Sequence, residues 1–128
     1  MNNVYFLILL ALVQYIFFTV RVGAGRQKYG IHAPATTGNE VFERMFRVQQ
    51  NTLEQLMVFI PGILLFAHFV SPLWALLPGA LYLVGRQLYA RSYVADPKKR
   101  GIGASLSIVS GIVLVVGAII GFAWQSFQ

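Results

Sequence analysis

The chain contains no cysteine and only four acidic residues among its 128 positions. Without cysteine there can be no disulfide, no thiolate ligand for a metal and no cysteine nucleophile. Charged residues of both signs make up 11% of the chain, whereas hydrophobic residues make up 57%. Soluble domains carry about 25% charged residues, so this composition excludes an ordinary soluble globular protein.

The few charges are unevenly distributed along the chain. Three long stretches contain no Asp, Glu, Lys or Arg: Met1–Val20, Gln55–Gly85 and Gly101–Gln128. All charged side chains lie between them, in Arg21–Glu54 and Arg86–Arg100. A hydrocarbon core of about 30 Å takes about 20 helical residues to cross. The pattern therefore predicts an all-α integral membrane protein, a bundle of four transmembrane helices.

A chain of this length leaves room for one domain, residues 1–128. The predicted spans are approximately residues 3–21, 40–70, 72–94 and 102–124. Residues 22–39 are rich in glycine and should form a loop, after which Thr37 or Asn39 is expected to cap the second helix. Pro61 predicts a kink in the second span. Small residues at four-residue spacing in the fourth span suit close helix packing.

The positions of the basic residues predict an orientation in the membrane. All ten Lys and Arg lie in or beside the connections between spans one and two and between spans three and four. The positive-inside rule places both connections in the cytoplasm and both termini outside. Since the net charge of +6 is explained by this topology, we expect no nucleic-acid partner.

Polar residues at membrane depth line one face of two consecutive spans. Those of the second span are Arg44, Arg47, Asn51 and Glu54, and those of the third are Tyr82, Arg86, Tyr89 and Tyr93. Arg100 follows just beyond the third span. Such groups require a partner, a water-filled cavity or a ligand. Arginine forks bind carboxylates, so the set suits a small zwitterionic anion with more than one carboxylate.

A purely structural interpretation remains open from the spacing alone. The arginines would reach the headgroups with their long stems, and Glu54 would pair with one of them. A metal site is not expected, because His32 and His68 should lie at opposite ends of a span.

The second span resembles a known family signature. Residues 42–54, FERMFRVQQNTLE, look like the FERxxRxQxNxxE motif of the membrane-associated proteins in eicosanoid and glutathione metabolism, the MAPEG family. Thr36-Thr37-Gly38 also matches, as does Gly85-Arg86-x-x-Tyr89-x-x-x-Tyr93 with Arg100 seven residues later. The resemblance covers nearly the whole chain.

The resemblance implies a homotrimer of four-helix subunits, with glutathione bound between neighbouring subunits near the cytoplasmic side. The positions that match glutathione-contacting residues of the family are Arg26, Arg47, Gln49, Asn51, Glu54, Arg86, Tyr89 and Tyr93. Arg100 matches the arginine that faces the thiol. A thiol with a pKa near 8.5 is mostly protonated at neutral pH, and a nearby guanidinium stabilises the nucleophilic thiolate.

Two positions depart from the leukotriene synthases of the family. Gln55 replaces a Tyr and Gln27 replaces an Arg, which argues against leukotriene-type specificity. We therefore predict a membrane-bound glutathione transferase, with possible peroxidase activity, acting on lipophilic electrophiles from the bilayer. Glutathione is the expected co-substrate, with no metal. The alternatives are a non-catalytic lipid-binding scaffold of the same fold and a small channel or transporter subunit.

Overall fold

The computed structural model describes residues 1–128 as four long helices without any strand. The helices are α1 (Asn2–Tyr29), α2 (Glu40–Phe69), α3 (Pro72–Ala95) and α4 (Gly101–Ser126). A short 3₁₀ turn at Pro97–Lys99 joins the last two. The predicted all-α four-helix fold is confirmed.

The first helix is longer than the sequence predicted. The loop expected from Val22 begins at Gly30, whose left-handed φ of 66° ends the helix. A glycine inside a helix is unfavourable by only about 1 kcal/mol, and α1 continues through Gly23 and Gly25 because its far end has something to pack against. A Cβ at Gly25 would meet the Phe42 ring at 3.2 Å, so α1 and α2 pack closely here. The extension carries Arg26 well beyond the uncharged stretch.

Side-chain caps set the starts of the two central helices. The Asn39 side chain accepts a hydrogen bond from the Phe42 amide at 3.0 Å, as one of the two predicted caps. Ser71 accepts from the amides of Leu73 and Trp74, which makes a very short turn between α2 and α3 possible. α2 runs through Pro61 as one continuous helix.

The central pair of helices is α2 and α3, which contact each other and both outer helices. The largest core cluster includes Phe59, Ile63 and Tyr82, with the Phe59 and Tyr82 rings stacked at 3.9 Å. α3 and α4 approach most closely where Gly85 faces Gly103: a Cβ on Gly103 would collide with the backbone of Tyr89. The small residues of α4 therefore serve packing, as the spacing predicted.

Three helices, α1, α2 and the segment Pro97–Ser126, are long and apolar enough to cross a membrane. The predicted third span, α3, is not among them, and it carries Arg86, Arg91 and three tyrosines, although its 24 residues reach about 36 Å. Large apolar side chains are exposed along α1 and α4, where a soluble protein would have charges. The chain is an integral membrane protein.

Candidate functional site

The guanidinium of Arg86 lies at the centre of the bundle and is fully buried. Its Nε donates to Ser107 Oγ of α4 at 3.0 Å, and its Nη1 donates to Asn51 Oδ1 of α2 at 2.7 Å. Nη1 also donates to Thr52 Oγ1 at 3.3 Å. One side chain therefore connects α2, α3 and α4 through neutral acceptors, and its charge has no carboxylate partner. The anchoring interpretation, in which the arginines reach the headgroups, does not describe Arg86.

Asn51 is oriented by this contact. Because its carbonyl oxygen accepts from Arg86, its amide nitrogen is the atom left free to donate to a ligand. Asn51 is only partly buried, so this donor lies at the edge of the bundle, whereas Arg86 lies inside it.

Tyrosine rings extend from Arg86 towards the charged end of α3. The Arg86 guanidinium lies over the Tyr89 ring, 4.5 Å from its centroid. Tyr89 and Tyr93 stack with 5.3 Å between centroids and 8° between planes. Arg47 and Arg100 also lie close enough for their charges to act on Tyr89. The structure therefore brings Arg86, Tyr89 and Tyr93 into direct contact, whereas Arg47 and Arg100 act on Tyr89 only through their charges.

Arg47 and Glu54 form the only ion pair, with 3.8 Å between Nη1 and Oε1. Their side chains are 54% and 61% exposed, so the pair lies on the outer surface of α2. An exposed pair of this length contributes little to stability, typically below about 1 kcal/mol. Both groups therefore remain available to exchange this contact for a ligand.

Two of the predicted residues face elsewhere. Gln49 donates to Thr19 Oγ1 of α1 at 3.1 Å, on the opposite side of α2 from Arg47 and Asn51. Arg26 donates to the Ala35 carbonyl at 2.7 Å and lies over the Phe42 ring. Neither contacts the other predicted residues, so within one chain the predicted set divides into two groups.

Sequence reasoning did not single out Thr52 and Ser107 as partners of the site. Both are fully buried, and Ser107 also donates to the Gly103 carbonyl at 2.6 Å. Ser107 is one of the small residues at four-residue spacing in the fourth span, for which the sequence predicted close helix packing. The available signal was its polarity on the same face of α4 as Gly103 and Gly111, which a buried arginine on a neighbouring helix requires.

A separate apolar cleft of about 410 Å³ lies between α2 and α4. Met57 and Leu65 line it from α2, and Val115 and Ile119 line it from α4. It opens at the surface of the bundle, where Met57 is 74% exposed. No group of three or more His, Cys, Asp or Glu is arranged to hold a metal ion.

Comparison with known proteins identifies the family of this chain. Residues 4–120 match the MAPEG family. An uncharacterised Synechocystis protein is 49% identical over 93% of this chain and 87% of its own length. Microsomal glutathione S-transferase 2 is 35% identical in Homo sapiens, over 87% of this chain and 76% of its own length. The Mus musculus protein of that name is 38% identical over 90% of this chain and 78% of its own length. The resemblance seen in the sequence is confirmed, and this chain belongs to the MAPEG family.

Proposed function

We propose that this chain is a membrane-bound glutathione transferase that conjugates glutathione to lipophilic electrophiles, with peroxidase activity at the same site. The observation that carries the proposal is the contact of Arg86 with Tyr89 and Asn51, one helical turn from the exposed pair of Arg47 and Glu54 on α2. Glutathione has two carboxylates, one ammonium group, two amides and a thiol. The donor set fits this ligand, since guanidinium groups pair with carboxylates and Glu54 can accept from the ammonium.

The proposed binding residues act in two groups. Arg47, Asn51, Glu54, Tyr89 and Tyr93 hold the ligand directly from α2 and α3, and Arg86 supports them from inside the bundle. Arg26 and Gln49 lie on another side of the same chain. In a homotrimer these two residues would complete the site of a neighbouring subunit, which supports a site between subunits. The site then lies at the basic end of the bundle, on the cytoplasmic side, and both termini lie outside.

Arg100 is the proposed catalytic residue. It is exposed at the start of α4, where its guanidinium is free to face a thiol. Its charge lowers the pKa of the glutathione thiol, so the proton leaves to solvent and the thiolate forms near neutral pH. The sulfur then attacks the electrophilic carbon, a carbon–sulfur bond forms and the leaving group departs with its electron pair.

The lipophilic acceptor would arrive from the bilayer. The apolar cleft between α2 and α4 is lined by Met57 and Val58, which follow Glu54 by one helical turn on α2. An acceptor lying in that cleft could therefore extend towards the charged region without entering water. The same cleft would suit a lipid-binding scaffold, which predicts that no thiolate forms.

The experiment that tests the proposal follows thiolate formation and conjugation together. Purified protein in detergent is mixed with glutathione, the ultraviolet absorbance of the thiolate is recorded, and conjugation of a chlorodinitrobenzene is measured. Wild type should show both signals. Absence of the thiolate signal from wild type would exclude the transferase and favour the scaffold.

Substitution of Arg100 tests the catalytic role separately. Arg100→Ala should reduce turnover at pH 7 by roughly 10-fold or more, since each pKa unit changes the thiolate fraction about tenfold. The deficit should shrink above about pH 8.5, where the free thiol ionises unaided. Lys99→Ala, which removes the neighbouring exposed charge, is the matched control and should retain activity. A deficit independent of pH would contradict thiolate stabilisation by Arg100.

A further inference from the structure

A second cleft lies at the charged end of the bundle, apart from the residues assigned to glutathione. It has a volume of about 290 Å³ and lies where α1, α2 and the end of α3 meet. Arg21 and Lys28 line it from α1, Val41 and Met45 from α2, and Val94 from α3. The cleft therefore combines two cations with an apolar floor.

Neither cation has an acidic partner. The single ion pair of the structure joins Arg47 and Glu54, and no Asp or Glu lines this cleft. The Arg21 guanidinium lies 6.0 Å from the centroid of the Phe17 ring, and the Lys28 ammonium group lies 5.3 Å from that of Tyr29. Ring contacts of this kind leave the positive charge uncompensated, so the cleft attracts an anion.

The two cations follow the uncharged part of α1, where a membrane-spanning segment would end. Arg21 directly follows the uncharged stretch that ends at Val20, and Lys28 lies seven residues later. Seven residues correspond to about 10 Å along the helix, and the headgroup layer is roughly 5–8 Å thick on each side. Their separation along the helix slightly exceeds this thickness, and the long side chains of arginine and lysine can bring both charges towards the layer that contains lipid phosphates.

A third cation, Arg44, lies beside the cleft. Arg44 donates from Nε to the Val94 carbonyl at 3.0 Å, which places its charge at the end of α3 beside the cleft. Before Arg21, most of the exposed side chains of α1 are apolar, and Val13, Phe17 and Val20 are all more than half exposed. An anion held at Arg21 would have a hydrocarbon-compatible surface directly beneath it.

We propose that this cleft binds the phosphate of an anionic phospholipid, with the acyl chains lying along α1. Basic pockets between transmembrane helices recognise lipid headgroups through the same combination of paired cations and an adjacent apolar surface. A soluble anion would use the cations but leave the apolar surface unused. The cleft involves none of the residues proposed for glutathione, so lipid binding there is a separate property of the chain.

The test is a lipid titration followed by native mass spectrometry of the detergent-solubilised protein. Phosphatidylglycerol is compared with phosphatidylcholine, which has the same phosphate but no net charge. Wild type should retain phosphatidylglycerol preferentially. Arg21→Gln combined with Lys28→Gln should weaken this binding roughly 10- to 30-fold, as expected for the loss of two basic contacts.

The matched control removes the same charge elsewhere. Lys98→Gln combined with Lys99→Gln changes two exposed basic residues of the other connection and should alter lipid binding less than about 3-fold. Equal losses in both double variants would overturn the proposal, because they would indicate general attraction to the basic end. Equal retention of the two lipids by wild type would also overturn it.

Two further measurements distinguish lipid binding from binding of a soluble anion and from misfolding of the variant. Inorganic phosphate is added as a competitor, and displacement of the lipid at similar concentrations would identify a soluble-anion site and overturn the proposal. Circular dichroism and glutathione conjugation show whether the double variant is folded. If it is not, Lys28→Gln alone, at an exposed position, replaces it and should weaken phosphatidylglycerol binding about 5-fold. Unchanged binding in that variant would contradict the proposal.

Discussion

At the scale of single residues, the most consequential side chain is Arg86. An arginine fully buried in a membrane protein without a carboxylate is uncommon, and here neutral oxygens from two other helices and one aromatic ring surround it. Its Nη2 and the hydroxyl of Tyr82, one turn away, are both buried without a protein partner. These two unsatisfied hydrogen-bonding groups show that the interior of the bundle is polar at this level, next to the proposed site.

Replacement of Arg86 tests this structural role. Arg86→Met keeps much of the volume but leaves Asn51, Thr52 and Ser107 without their donor. We expect a loss of about 1–3 kcal/mol of stability, because buried acceptors then lack hydrogen bonds. The measurement is the midpoint of thermal unfolding in detergent. Arg91→Met, an exposed arginine on the same helix, is the control, and equal midpoints for the two variants would contradict the role.

At the scale of helices, the contact between α3 and α4 depends on glycine. Gly85 and Gly103 let the two backbones approach so closely that neither position has room for a methyl group. The close approach also brings Ser107 within hydrogen-bonding distance of Arg86. The packing of two glycines and the polar contact of the arginine are therefore parts of one arrangement.

A pair of glycine substitutions separates this packing from helix propensity. Gly103→Ala should destabilise the protein by roughly 2 kcal/mol or more, since α4 must move away from the backbone of Tyr89. Gly23→Ala, where nothing lies within 4 Å, should stabilise α1 by up to about 1 kcal/mol. Thermal unfolding of both variants checks the prediction. Stabilisation by both substitutions would show that helix propensity, rather than the α3–α4 contact, dominates at Gly103.

At the scale of the whole molecule, the division of the proposed glutathione residues into two groups has a direct consequence. Arg26 and Gln49 lie on a different side of the chain from the group that includes Arg47 and Arg100. We therefore propose that a complete glutathione site combines residues of two subunits. The family resemblance implies a homotrimer, and native mass spectrometry of the solubilised protein should then give the mass of three chains.

Mixing two inactive variants tests the shared site. Arg26→Ala and Arg100→Ala are each expected to lose most activity, and co-expression in equal amounts should restore about a quarter of wild-type turnover, because some interfaces combine two intact halves. The measurement is conjugation by the co-purified mixture, with separately purified variants mixed after solubilisation as the control. No recovery would contradict a site built from two subunits.

The orientation of the molecule can be determined with introduced cysteines, because the natural chain has none. Lys98→Cys and Ser126→Cys place single thiols at opposite ends of the bundle. An impermeant maleimide added to intact cells should label the cysteine at position 126 and not that at 98, as the positive-inside rule predicts. The reverse pattern would invert the proposed topology and place the glutathione site outside.

The sequence by itself determined the class of the molecule and much of its chemistry. Uncharged stretches of membrane length required apolar helices, and the spacing of Arg47, Asn51 and Glu54 placed them on one helical face. Helical periodicity specifies which residues share a face, but it does not specify what that face contacts. The motif in residues 42–54 was sufficient to indicate the family.

Only the tertiary structure decided which neighbours each polar side chain contacts. In the folded chain Arg86 is buried and Gln49 contacts α1. The first helix also continues through Gly23 and Gly25, where the sequence predicted a loop. The tertiary structure also brought Arg21 and Lys28 together over residues of α2 and α3. The physical reason is that burial and pairing depend on the rotation and separation of neighbouring helices, which arise from contacts between residues distant in the sequence.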